Sequence, residues 1–227
     1  MAAPRRKEIK EAPETKGRGP KWRRRSDERP DEILDAALDE FVEKGFDQAR
    51  VEDVAKRAGL SKAGVYLYFD AKEDILRALI EREIAPIARR VRALAEAGRD
   101  NPMSTLTGII GAFMTVLENP RVAAVPRLVL SIAGRFPEIG EYYRENVVEH
   151  GLSAFASLHR AGVEQGLFRD VDSAMAARAV IGPVLVHVLW THVLGGPPGG
   201  MSAVERAKTQ IDLLLNGLAA PDLREAS

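Results

Sequence analysis

Ser61, Lys62, Tyr66, Tyr68 and Lys72 lie close together and supply hydroxyl and ammonium donors of the kind that hydrogen-bond phosphate oxygens. Val65 and Phe69 interleave with them at positions that must pack inward, so the donors would share an outward face. A Gly59-Leu60-Ser61 turn separates this segment from a shorter helix with Val51, Val54, Ala55 and Ala58 inward and Asp53, Lys56 and Arg57 outward. Ser61 is placed to cap the helix it begins. These are the proportions of a helix-turn-helix unit. A solvated helix end with two surface tyrosines has the same spacing, and spacing alone leaves both readings open.

Other chemistry fails on parts. The chain has no cysteine, which removes disulfides, thiolate nucleophiles, iron–sulfur clusters and cysteine-bearing zinc sites. His187 and His192 are five apart and His150 and His159 nine apart, so neither pair shares a helix face at the spacing a helical metal site uses. There is no Gly-x-Ser-x-Gly elbow, no phosphate-cradling glycine loop with its lysine and no Glu-x-x-His motif. The sequence therefore predicts no metal, no cofactor and no enzyme.

The elements that position the donors are helical. Pro30 suits a first helical turn, Asp31 and Glu32 favour its positive end, and Ile33, Leu34, Ala37, Leu38, Phe41 and Val42 recur at helical spacing until Gly45. From Ala71 the pattern stays helical, in segments punctuated by Asn101-Pro102, Asn119-Pro120, Gly166 and a Gly/Pro cluster at 195–200, with a kink expected at Pro86. No strand signal occurs, so the expected fold is all-α. Residues 1–30 hold 11 basic and 5 acidic side chains, and the remaining 197 hold 22 and 28. A basic arm over 1–28, expected to be disordered alone, thus precedes a mildly acidic body. Arg23, Arg24 and Arg25 in that arm are candidates for a polyanion. A solubilising tail is the plainer reading, and a membrane-surface patch around Trp22 is disfavoured for want of an apolar helical face.

The stretch from Gly45 to Leu76, GFDQARVEDVAKRAGLSKAGVYLYFDAKEDIL, closely resembles the DNA-binding domain of the tetracycline-repressor (TetR) family of bacterial regulators. The resemblance implies a three-helix DNA-binding domain over 29–76, a larger helical effector-binding and dimerisation domain over 77–227, and a homodimer whose recognition helix enters the major groove of a palindromic operator. It places Lys62, Tyr66 and Lys72 at positions that commonly touch the DNA backbone. The chain departs from the family pattern where Ala49 and Arg50 replace the usual hydroxyl residues, which removes the expected cap and leaves Arg50 to bind a phosphate instead. Gly64 has no side chain where a base reader often stands. Readout would then rest on Ala63 against a thymine methyl, Lys62 on guanine, close backbone approach at Gly64 and DNA shape.

In relatives of this kind the body senses a small molecule. Val204, Ala207, Ile211, Leu214, Leu215 and Leu218 form one apolar stripe, and Ala174, Ala177, Ile181, Leu185 and Val188 a second; pairing with their copies would make a four-helix interface. Core packing within one chain explains the same stripes. Phe113, Met114, Leu117, Leu128, Phe155, His187 and Trp190 are the expected lining of an effector pocket, with His187 and Trp190 as its polar anchors. Residues 179–204 lack acidic and basic side chains, but Pro183, the histidines and the glycines interrupt them, so they read as a buried helix ending in a loop rather than a membrane span. The combined expectation is a cytoplasmic, homodimeric repressor released from DNA by a largely apolar effector. A helical binding module whose helix-turn-helix is only a scaffold is the alternative.

Overall fold

The computed structural model describes residues 21–197 and 199–218. Helices account for most of them, and no β-strand occurs among them. The head is built from α1 (Lys21–Lys44), α2 (Val51–Arg57), α3 (Lys62–Tyr66) and α4 (Lys72–Leu79). Ile33, Ala37, Leu38, Phe41, Phe46, Val54, Val65, Ile75, Leu76 and Leu79 meet in its centre, each at most 2% exposed. Gly45 and Gly59 close α1 and α2 at φ of 76° and 67°, left-handed geometry that strains any residue with a Cβ.

Helix α1 departs from expectation. It begins at Lys21 and carries Pro30 in its interior, so residues 21–28 continue the helix rather than forming an unstructured arm. Straight-chain Lys, Arg and Glu are good helix formers, and this outweighs the single backbone hydrogen bond that Pro30 cannot donate. The side chains of Arg23, Arg24 and Arg25, like residues 1–20, lie outside the described part.

From α4 the chain runs through a π-helical turn (Ile80–Ile84) into α5 (Ala85–Ala97). The turn falls just ahead of Pro86, whose missing N–H and ring would clash with a regular ladder, so the irregularity expected at Pro86 is taken up one turn earlier. Then follow α6 (Pro102–Leu117), α7 (Pro120–Ile132) and α8 (Pro137–Tyr143). Each starts on a proline at its first position, where the lost donor costs nothing. A second π turn (Arg144–Val148) leads into α9 (Glu149–Glu164), and α10 (Ser173–Val188) and α11 (Ala203–Leu218) complete the body. Leu106, Ile109, Ile110, Phe155, Leu158, Phe168, Ala177 and Val180 form the body core.

Head and body are not separated by a seam. Ala124, Val125, Leu128, Val129 and Ile132 of α7, with Ile139 of α8, belong to the same buried cluster as the head residues. Phe136 stands edge-on to Phe46 at 5.3 Å. Ion pairs cross the same boundary: Arg121 with Asp35 at 2.6 Å, Arg82 with Asp35 at 2.8 Å and Asp31 at 3.4 Å, and Arg135 with Asp47.

Candidate nucleic-acid interface and ligand cavity

The outward face of α3 is set by its cap. Ser61 has extended backbone angles and its hydroxyl accepts from the Gly64 amide at 3.0 Å, fixing where the helix starts. Val65 is fully buried and holds α3 against the head core. Ser61, Lys62, Ala63, Tyr66 and Tyr68 are consequently exposed together, and Gly64 is half-buried beside them. The Lys62 ammonium lies 2.5 Å from Glu52 on α2 and 5.7 Å from the Tyr66 ring centre. The Glu52 carboxylate holds the Lys62 pKa above the ordinary lysine value, so Lys62 stays charged at neutral pH. Arg50 stands exposed at the N-cap of α2, extended and without a side-chain capping bond. Behind this surface Arg57 binds Glu40 and Glu43, and Lys44 bridges Glu40 to Asp53, bracing α1 against α2.

Lys72 has other partners than those expected of it. Its ammonium donates to the carbonyls of Phe46 (2.5 Å), Asp47 (3.3 Å) and Ala49 (3.2 Å) and lies 4.4 Å from the Phe46 ring centre. Three carbonyls match its three N–H donors, and burial pushes its pKa down. Lys72 thus clasps the α1–α2 loop. Leu67 is the complementary surprise: at 82% exposed it is the most open of the large apolar side chains among the described residues, set between Tyr66 and Tyr68. Its position directly after the recognition helix is the sequence signal that would have found it, since an apolar residue between two outward tyrosines has no core to enter.

The body encloses a cavity of about 330 Å³ between α5, α6, α7, the α8–α9 π turn and α10. Phe113, Leu117 and Phe155 line it as expected. Four other expected lining residues do not. Met114 packs with Val184, Ala203 and Ala207, and Leu128 belongs to the core shared with the head. His187 sits on α10 off the cavity wall. Trp190 is 49% exposed, with its indole N–H donating to the Pro197 carbonyl at 3.0 Å; it anchors the glycine-rich loop, where a Cβ on Gly196 would come within 2.2 Å of its ring. Which side of a wholly apolar helix meets a void depends on its neighbours, and periodicity carries no trace of that.

Residues of the stripes expected to pair between subunits also make contacts within the chain, Leu185 remaining 41% exposed and Ile181, Ile211, Leu214 and Leu215 half-buried. Ala177 and Val188 are buried, Ile181, Leu185 and Val188 line the cavity, and Ile211, Leu214 and Leu215 pack on the body core. The side chain of Leu218 lies outside the described part. The segment Ser173–Thr191, read from sequence as a buried helix, is only 28% buried across its most apolar window and is long and apolar enough to cross a membrane by length and composition. Its open face carries Met175, Ala179, Val186 and Trp190. Among the described residues no group of His, Asp and Glu is arranged to hold a metal.

Residues 33–79 match the family described as bacterial regulatory proteins, tetR family, and residues 104–215 match the AefR-like transcriptional repressor C-terminal domain. The transcriptional repressor KstR2 of Rhodococcus jostii is 27% identical over 198 residues, covering 84% of this chain and 91% of its own. The transcriptional regulator YfiR of Bacillus subtilis is 30% identical over 148 residues, 64% of this chain and 71% of its own. The crystal structure of PfmR, a TetR-family regulator of Thermus thermophilus, superposes with a TM-score of 0.62 at 30% identity, covering 81% of this chain and 97% of that one. A helix-turn-helix head with a capped, outward recognition helix, welded to a hollow helical body and matched in both halves, makes this chain a member of the TetR family of DNA-binding transcriptional regulators.

Proposed function

We propose that the protein is a homodimeric, cytoplasmic repressor that occupies a palindromic operator and leaves it when a largely apolar molecule fills the body cavity. One observation carries this reading: α7 has two working faces. Val122, Pro126, Val129 and Leu130 line the cavity, while Ala124, Val125, Leu128 and Val129 are packed into or beside the head core. A ligand that prefers a shifted α7 therefore also shifts the head, and differential affinity for the two arrangements is all that regulation requires. The repressor sense follows the Rhodococcus relative. The open apolar face of α10, with Val186 63% and Met175 59% exposed, suits pairing with a second copy better than a bilayer, because Gly182 and Pro183 interrupt it. A two-fold dimer would present its recognition helices about 34–36 Å apart.

On the DNA side, Ser61, Lys62, Ala63, Gly64, Tyr66, Tyr68 and Leu67 form the reading surface, with Arg50 and the basic residues Arg23, Arg24 and Arg25 on flanking phosphates. No catalytic role is assigned to any residue. The decisive experiment is binding of the full-length protein to DNA from upstream of its own gene, with excess competitor and at several salt concentrations, paired with sedimentation to fix the stoichiometry. Retention of a dimer against competitor supports the reading. Loss to competitor, followed by failure of random-sequence selection to yield a site, would leave a helical binding module without sequence readout.

A further inference from the structure

Among the described residues, two with polar side chains line the cavity, Tyr143 and Arg144, and they are unlike each other. Tyr143 ends α8, is half-buried on the cavity wall, and its hydroxyl makes no hydrogen bond with any described residue. Its sequence neighbour shows what a satisfied tyrosine looks like here: the Tyr142 hydroxyl donates to Glu81 at 2.9 Å. A hydroxyl on an apolar wall with no protein partner is free to bond a molecule that enters. Ile84, Ala88, Val129, Val147 and Phe155, which line the same cavity, have no side chain that can answer the hydroxyl.

Arg144 supplies no spare positive charge. Its guanidinium is paired with Glu145 at 3.1 Å, with Glu141 at 3.6 Å and with Glu149. Three carboxylates around one cation leave that rim net negative. An anionic head group at that rim would meet three carboxylates and no unpaired cation, an unfavourable placement. A phenolic hydroxyl both donates and accepts, so a carbonyl, an ether or an alcohol would each satisfy it.

We propose that the cavity takes an uncharged, largely apolar molecule bearing one hydrogen-bonding oxygen, and that the Tyr143 hydroxyl is the anchor that selects it. This rests on reading the cavity as the effector site. The apolar walls supply affinity without discrimination among hydrocarbons, and the single hydroxyl decides which end of the molecule lies against α8.

The test uses full-length protein, wild type and Tyr143→Phe, titrated calorimetrically near neutral pH with three probes of matched skeleton: pentylbenzene, valerophenone and phenylvalerate. Wild type is expected to bind valerophenone about three- to tenfold more tightly than pentylbenzene, the worth of one neutral hydrogen bond. Phenylvalerate should be weaker than the ketone by about tenfold or more. Tyr143→Phe should erase the preference for the ketone, leave pentylbenzene unaffected and keep the wild-type melting temperature. Unchanged ketone affinity in Tyr143→Phe, or phenylvalerate binding as well as the ketone, overturns the assignment while leaving an apolar site standing. Failure of all three probes, pentylbenzene included, overturns the effector-site reading itself and this assignment with it.

Discussion

Arg121 of α7 donates to the Asp35 carboxylate of α1 at 2.6 Å, and the same oxygen accepts from Arg82 at 2.8 Å. One exposed aspartate thus ties three elements across the boundary between head and body. Exposed pairs of this kind add little stability, so the weld is made by the core beneath them, and the charges fix its register.

That core yields the first prediction. Leu128 is 4% exposed within the shared cluster, and Leu128→Ala should destabilise the whole protein by about 2–5 kcal/mol. Chemical denaturation should show head and body unfolding in one transition. Two separated transitions in the wild type would mean that the shared core does not couple them.

In the proposed reading, Lys62 and Lys72 separate charge that reads DNA from charge that holds the head. Lys72→Met leaves three carbonyls without their donor and should cost about 1–3 kcal/mol in urea denaturation. Lys62→Ala should leave stability within about 0.5 kcal/mol and lower the slope of log K against log salt by about 0.9. A stable Lys72→Met protein with weakened DNA binding would return Lys72 to the interface.

Glu52 pairs with Lys62 at 2.5 Å and, in the proposed reading, competes with phosphate for it. Removing its charge in Glu52→Gln frees the ammonium and takes a negative group from the DNA-facing surface. Fluorescence anisotropy with labelled duplex should then show tighter binding for operator and random DNA alike, with a smaller ratio between them. Weaker binding would show that Glu52 itself takes part in readout.

His159 gives a pH dependence. It is 4% exposed, its Nε2 faces the Arg169 carbonyl at 3.1 Å and its Nδ1 faces the Ser173 hydroxyl at 3.0 Å. A carbonyl only accepts, so Nε2 carries a proton, and in the neutral ring Nδ1 accepts from the Ser173 hydroxyl. Burial lowers its pKa below the usual histidine value, against the pull of Asp170 and Asp172. The folded state therefore binds this proton less readily than the unfolded chain. Its contribution to stability is intact above the unfolded pKa of about 6.5 and is lost as pH falls below that value. Melting temperatures from pH 7.5 to 5 should fall in wild type and fall less in His159→Gln; parallel curves would remove His159 as the cause.

Much of the head is legible in sequence because its signals are local. Ser61, Gly45 and Gly59 declare their caps and turns within a few residues, and the inward Val51, Val54 and Val65 follow from helical period. The start of α1 was not legible, since Pro30 resembles a helix start as readily as an interior proline tolerated by strong helix formers around it. In the body, α10 is apolar on nearly every side. Ala177 and Val188 could be assigned to a partner or to the interior with equal reason until α9 and the cavity were in place. Tyr143, the proposed anchor, cannot be picked out from spacing or residue type, because the lack of a partner is a property of its neighbours.

The two-faced α7 limits how this protein can change its ligand. Val129 is at once cavity wall and head core, so with the cavity as the proposed effector site a substitution there is expected to alter what is sensed and how DNA is held in the same stroke. Phe113, Phe155 and Leu185 touch the cavity from helices that do not enter the head core. New chemical tastes are therefore open to drift on that far side, while the near side must keep its shape for the regulator to keep its grip.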